Sequence, residues 1–172
     1  MLTIRKAELS DVPTLFEMIN YYAEQRIMLP WSLVDLYEKV WEFTVAEDDG
    51  KVLACAALKF YSAELAEVRS LCVTPGITNR GLGRALTERL LDEAERYGLK
   101  TVFALTLVPQ FFDKLGFREI PRERFPTKVW RDCLACPKYF QCDEKAMVLD
   151  LDARRASRNE AALEFAGTAT KA

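Results

Sequence analysis

Val73-Thr74-Pro75-Gly76-Ile77-Thr78-Asn79-Arg80-Gly81-Leu82-Gly83-Arg84-Ala85-Leu86 sets two glycines at the mouth of a helix that follows a strand. Glycine lets a backbone approach a ligand closely. The first turn of a helix leaves N–H groups unpaired and pointing at whatever anion sits there, and a phosphate is the natural guest. A nucleoside-triphosphate loop would need Gly-Lys-Ser or Gly-Lys-Thr, but Gly81 is followed by Leu82. A dinucleotide loop would need a third glycine where Leu86 stands. What remains is another phosphate-bearing cofactor, or a glycine turn that only packs a helix on a strand.

Working outward, Leu65 to Thr74 is a long strand ended by Pro75-Gly76, and the helix runs from about Gly81 to Tyr97 with Gly98 as its stop. Phe43 to Glu47 and Lys51 to Tyr61 are apolar runs around Asp48-Asp49-Gly50, which predicts a hairpin. Nearer the start, Thr3 to Ala7 reads as a strand, and Ser10-Asp11 with Pro13 opens a helix carrying Leu15, Met18, Ile19 and Tyr22. A second helix follows the cap Ser32, with Leu33, Leu36, Tyr37, Val40 and Trp41 on one stripe. Lys100 to Leu107 is a strand, Pro109 opens a short helix that Gly116 ends, and Phe117 to Ile120 is extended again. Residues 121–144 form a cysteine-bearing excursion before a last strand at Lys145 to Leu151. The order of strands and helices implies a mixed α/β sheet in one domain over 1–151, with 152–172 a tail, helical or disordered.

A chain of 172 residues, half of them hydrophobic, supports one substantial core. Its 24 basic and 26 acidic residues leave no field that favours nucleic acid or an anionic membrane. No run approaches the roughly 18 apolar residues of a membrane helix, and the first residues carry no secretory or transit signal. An odd number of cysteines, five, in an otherwise ordinary composition favours reduced thiols in a cytoplasm. These properties fit a small-molecule partner, with a homodimer allowed for. Histidine is absent, so proton transfer falls to Glu, Asp, Lys, Tyr, Cys or water.

The segment from Val73 to Leu86 resembles the pyrophosphate-binding stretch of the GNAT acetyltransferase superfamily: a strand, a proline, a basic or Gln residue, then GxG opening a long helix. Glu67-Val68-Arg69-Ser70-Leu71-Cys72-Val73 is similar to that superfamily's central strand, and Phe111-Phe112-Asp113-Lys114-Leu115-Gly116-Phe117 to its later helix-to-strand signature, with matching spacing. The resemblance implies a GNAT-like mixed, mostly antiparallel sheet with splayed central strands flanked by helices, and acetyl-CoA as cosubstrate. It also implies that the strands around Leu71 and Leu105 part, so that Leu71, Cys72 and Val73 offer backbone groups to the cofactor. Thr78, Asn79, Arg80, Gly81, Leu82, Gly83 and Arg84 would surround the pyrophosphate, with Phe112 and Lys114 alongside. The superfamily's Arg or Gln is Thr78 here. Thr78 can still donate a hydrogen bond, and Arg80 and Arg84 supply charge.

Amine acetylation needs a neutral amine, a group to take its proton and a donor for the departing thiolate. Many members of the superfamily use a tyrosine for the thiolate where this chain has Phe112. Phe112, Leu53-Ala54-Cys55-Ala56-Ala57-Leu58, Glu67 and Phe103-Ala104-Leu105-Thr106 resemble the glutamate N-acetyltransferases of arginine biosynthesis, over about Ile4 to Leu151. By that resemblance Glu67 matches the proton-accepting carboxylate and Thr106 a hydroxyl near the thiolate. The plain alternatives are a solvated strand charge paired with Arg69 and a β-branched strand residue. Trp31 or Pro30 stands where the group carries an arginine after Ile-x-Leu, and the group's later Tyr-Asn and Arg-Ser pairing is also absent. Arg26, Lys59, Arg69, Lys128 and Arg131 are unranked candidates to meet a substrate carboxylate, and Trp31 either shapes a pocket or fills the core. Glutamate is the expected acceptor; another small amine, a protein amino terminus, or a non-catalytic acyl-CoA-binding sensor are the alternatives.

Cys133-Leu134-Ala135-Cys136-Pro137, followed by Cys142, has the CxxC spacing that puts two thiolates on one metal. Neither a second CxxC nor a histidine closes the shell. Bound metal, a redox-labile pair and packing thiols stay open, with packing preferred and no metal ligand assigned.

Overall fold

Asp49 and Gly50 turn the chain at positive φ, 49° and 77°, the tight geometry that lets β2 (Phe43–Asp48) fold back as β3 (Lys51–Phe60). From this hairpin a seven-stranded sheet extends in both directions. The computed structural model describes residues 1–77, 81–125 and 129–169. The strand order is β1 (Leu2–Lys6), β2, β3, β4 (Leu65–Val73), β5 (Thr101–Thr106), β7 (Lys145–Asp150), β6 (Arg118–Ile120). Every neighbouring pair is antiparallel except β4 and β5.

That parallel pair is short. β4 and β5 match at Leu65–Thr101, Ala66–Val102 and Glu67–Phe103, and the pairing stops there although both strands continue. The cause lies in β4. Its register with β3 shifts between Cys55 and Ala57, where β4 spends one residue more than its partner, and Ser70 holds φ at 52°. Such a bulge bends its strand and sharpens the twist, so β4 leaves β5 and a wedge opens between them. The bulge also switches which residues face which side. Ala66 and Val68, then Leu71 and Val73, pack in the core under α3, whereas Cys72 packs in the opposite core.

Both faces of the central strands are covered, which explains the unbroken apolar run of β3. Ala54, Ala56 and Leu58 meet Leu86, Leu90, Leu91 and Ala94 of α3 (Leu82–Arg96). Cys55 and Ala57 meet Val12, Leu15, Met18 and Ile19 of α1 (Val12–Glu24), together with Leu36 of α2 (Leu33–Glu38). Each buried leucine side chain contributes about 1.5–3 kcal/mol. A third cluster of Phe103, Phe125, Ala146 and Val148 lies under the excursion. Among the described residues no helix is long and apolar enough to cross a membrane.

One expectation needs correction. Ser32 does cap α2, its side chain accepting from the Asp35 N–H, but the helix stops at Glu38 and a 3-10 turn, Val40–Glu42, follows. The expected stripe therefore splits: Leu36 and Val40 are buried, while Leu33, Tyr37 and Trp41 are exposed. The tail, left open between helix and disorder, forms α5 (Leu151–Ala169) directly after β7. Arg154 fastens it to α3 through Glu88, Asp92 and Glu95, and Arg158 adds a second contact to Asp92. The short helix α4 (Pro109–Asp113) precedes β6 as expected.

Candidate active site

The wedge between β4 and β5 has two mouths, one on each side of the sheet. On the α3 side, Gly81 is the N-cap residue at φ 71°, a left-handed conformation that strains any side chain. Gly83 lies inside the first turn, where an added Cβ would meet only the Phe111 ring at 3.6 Å, an ordinary contact. The protein's own packing therefore does not require glycine at 83. Thr78, Asn79 and Arg80 lie outside the described residues. Leu82 is buried, whereas Arg84 is exposed and reaches Glu88 at 3.9 Å.

Along β4, the Cys72 side chain points to the α1 side, its Sγ 3.5 Å from that of Cys55. The contact with Cys72 and complete burial push the Cys55 thiol well above its ordinary range, so it stays protonated and inert. The Val73 carbonyl accepts a 2.7 Å hydrogen bond from the Tyr22 hydroxyl, which pins this end of β4 to α1. Phe112 is only 4% exposed and packs edge-on against Phe111 and Phe117, which makes it part of the core beneath the mouth. Lys114 is exposed beyond α4. Thr106 follows the alternation of Val102 and Ala104 onto the α3 side; its Oγ1 accepts from the Val108 N–H at 3.0 Å. A hydroxyl that accepts in this way keeps its proton to donate.

The opposite mouth is lined by charge. Glu67 is 2% exposed and stands at the last rung where β4 and β5 still pair. Lys59 is its register partner on β3. The Tyr61 hydroxyl lies 2.9 Å from Glu67 Oε2 and 3.0 Å from Asp132 Oδ2. Asp132 comes from a helical turn of the excursion, Val129–Cys133, and is held by Lys59 Nζ at 2.9 Å and by Arg69 at 3.4 Å. Burial, then the neighbouring Glu67 and Asp132, push the Tyr61 phenol far above its usual range, so it remains a hydroxyl. Glu42 faces the same group; burial raises its carboxyl despite Arg69 and Lys59 nearby, and its Oε2 has no hydrogen-bond partner among the described residues.

Arg69 is positioned from below. Its guanidinium lies 4.8 Å from the centroid of the Trp31 ring, and the Trp31 indole N–H donates to Ser70 Oγ at 3.0 Å. Asn20 brackets the Trp31 backbone from α1, donating to its carbonyl at 2.9 Å and accepting from its N–H at 3.2 Å. Trp31 is thus a core residue, edge-on to Phe43, and also the platform for a cation. Among the described residues the Arg69 guanidinium makes one hydrogen bond, to Asp132, which leaves most of its five donors for a ligand.

Of the candidate cations, Lys59 and Arg69 gather beside Glu67. Arg26, at φ 59° after α1, and Arg131 are exposed, and Lys128 lies outside the described residues. Tyr61 and Asp132 did not emerge from the sequence. Period-2 alternation from Lys59 was the available signal for Tyr61, since both fall on the face of Glu67. Cys133, Cys136 and Cys142 form no disulfide with one another, and no group of three or more His, Cys, Asp or Glu among the described residues is arranged to hold a metal ion.

The family model of the acetyltransferase (GNAT) domain matches residues 38–119. An uncharacterized N-acetyltransferase of Chlorobaculum tepidum is 42% identical over 148 residues, covering 86% of this chain and 96% of that protein. An amino-acid acetyltransferase of Mycobacterium tuberculosis is 42% identical over 120 residues, 68% of each. Among solved structures, N-acetylglutamate synthase of Neisseria gonorrhoeae, complexed with coenzyme A and N-acetyl-glutamate, aligns with a TM-score of 0.79 at 28% identity. That alignment covers 88% of this chain and 35% of the Neisseria protein, so the chain spans about a third of its length.

Proposed function

On the premise that this chain belongs to the GNAT acetyltransferase family and is an acetyl-CoA-dependent N-acetyltransferase, we propose that its acceptor is an amino acid, L-glutamate before any other. The observation that carries the reading is Glu67, a buried carboxylate at the point where the sheet opens, beside an arginine with donors to spare. The amino-acid acetyltransferase name of the Mycobacterium relative and the N-acetyl-glutamate in the Neisseria complex support it.

In this reading the two mouths divide the reaction. Acetyl-CoA enters from the α3 side. The N–H groups at the start of α3 receive its pyrophosphate, with Gly81 turning the chain, Gly83 leaving room for close approach, and Leu82 and Arg84 in the same first turn. Leu71, Cys72 and Val73 lie along the edge of β4 that β5 no longer covers, where backbone groups can pair with an amide-bearing ligand. Phe112 supports this mouth from the core and Lys114 stands at its margin.

The amino acid enters from the opposite mouth. Arg69, held over the Trp31 ring, meets one of its carboxylates. Glu67 takes the proton that the attacking amine gives up, a role for which the chain has no histidine. Thr106 donates a hydrogen bond from its hydroxyl to the leaving thiolate and keeps its proton. Holding amine and thioester together across the wedge supplies much of the remaining rate. We place the product, N-acetylglutamate, at the head of arginine biosynthesis in the cytoplasm. CoA release measured across a panel of amino acids tests the assignment: turnover should require glutamate, and its absence at millimolar glutamate would remove that acceptor. Product mass then identifies whichever amine is used instead, a protein amino terminus included.

A further inference from the structure

The Tyr61 hydroxyl has two carboxylates within hydrogen-bond range, Glu67 Oε2 at 2.9 Å and Asp132 Oδ2 at 3.0 Å, and one proton to give. A phenol donates to one acceptor and meets the other with a lone pair. Both contacts are hydrogen bonds only when one of the two carboxyls carries a proton. That is the state produced when Glu67 has taken the proton of an attacking amine.

We infer that Tyr61 is the exit for that proton, relaying it from Glu67 to Asp132. The inference rests on the reading of Glu67 as the base. Protonated Glu67 gives its proton to the Tyr61 oxygen while Tyr61 passes its own hydroxyl proton to Asp132 Oδ2. Two O–H bonds break and two form, Tyr61 ends as it began, and one proton has moved from Glu67 to Asp132. The transfer needs no tyrosinate.

The surroundings suit the direction of travel. Glu67 is 2% exposed and cannot readily return a proton to solvent, whereas the Asp132 side chain is 17% exposed. Lys59 and Arg69 hold Asp132 in place. Glu42, whose carboxyl burial raises against the pull of Arg69 and Lys59, also faces the group. Tyr61 is fixed in turn by its ring against Phe103 at 5.5 Å and by Lys59 over its face at 5.0 Å. Tyr61 is therefore a positioning and relay residue, not a group that touches the reacting atoms.

The test uses the full chain with the amino acid that the panel selects. Tyr61→Phe keeps the ring and removes the relay. Its kcat should fall about tenfold, within the range of general acid–base effects. The KM values for acetyl-CoA and the amino acid should hold, and added imidazole should restore the rate by carrying the proton itself. Asp132→Asn, which can accept a hydrogen bond but not a proton, should slow turnover and respond to imidazole likewise. Tyr61→Phe at full rate beside an inactive Glu67→Gln would overturn the relay while leaving the base. Slow variants that imidazole does not restore would also overturn it. Full turnover by Glu67→Gln would remove the base and the relay together.

Discussion

On the α3 side of the wedge the chain presents backbone: a glycine at positive φ, the first N–H groups of a long helix, and the uncovered edge of β4. On the opposite side it presents side chains, drawn from β3, β4, the segment just past β3 and an excursion more than 60 residues downstream. In the proposed reading the first surface recognises a feature that every CoA thioester shares, and backbone is enough for that. The second must distinguish one amine from another, which takes groups that differ in charge and reach. The Ser70 bulge lets one strand serve both, turning Glu67 and Arg69 to one mouth and Leu71 and Val73 to the other.

The contrast can be broken most severely at Glu67. Glu67→Gln should lower kcat by about 100-fold or more, the usual worth of a positioned proton acceptor, with the KM for acetyl-CoA unchanged in steady-state assays. Arg69→Ala should act on the same mouth through binding. Loss of a charge-assisted contact of about 1.5–3 kcal/mol predicts a rise of about tenfold or more in the amino-acid KM. A parallel rise in the acetyl-CoA KM would mean that the two mouths are not separate.

The glycines sharpen the other half of the comparison. Gly83→Ala should weaken acetyl-CoA binding several-fold, read by calorimetry, because the methyl group intrudes where the pyrophosphate approaches. Folding stability should hold or rise by up to about 1 kcal/mol, since alanine is the better helix former and its methyl group would make only an ordinary 3.6 Å contact with Phe111. Gly81→Ala should do the reverse in part: a side chain in the left-handed region costs roughly 1–2 kcal/mol. Thermal melting should fall by a few degrees. Equal effects of the two substitutions on stability would show that Gly83, too, is there for packing.

The backbone-built mouth was largely legible in the sequence, because its determinants are local. A proline-glycine stop, two glycines and an apolar helix lie within one short stretch, and Asp49-Gly50 announces its own turn. The side-chain mouth was legible only in parts. Glu67, Lys59 and Arg69 could be named, but strict alternation along β4 would put Glu67, Arg69, Leu71 and Val73 on one face. Nothing in Leu65 to Val73 signals that a serine will take φ 52° and divide them. Asp132 reaches Arg69 across 63 positions of sequence, beyond the range of any local pattern. Trp31 or Pro30 stands where the resemblance implied an arginine, and only the fold reveals Arg69 over the Trp31 ring.

The strand order places β7 between β5 and β6, both of which precede it in the chain. During synthesis those two strands emerge first and wait, each with a bare hydrogen-bonding edge, until residues 145–150 leave the ribosome and slot between them. Only then can Arg154 follow and neutralise the three acidic groups on α3. A translation product stopped short of Lys145 would carry an unfinished sheet and a self-repelling α3, and should be a substrate for quality-control proteases, not a weakened enzyme.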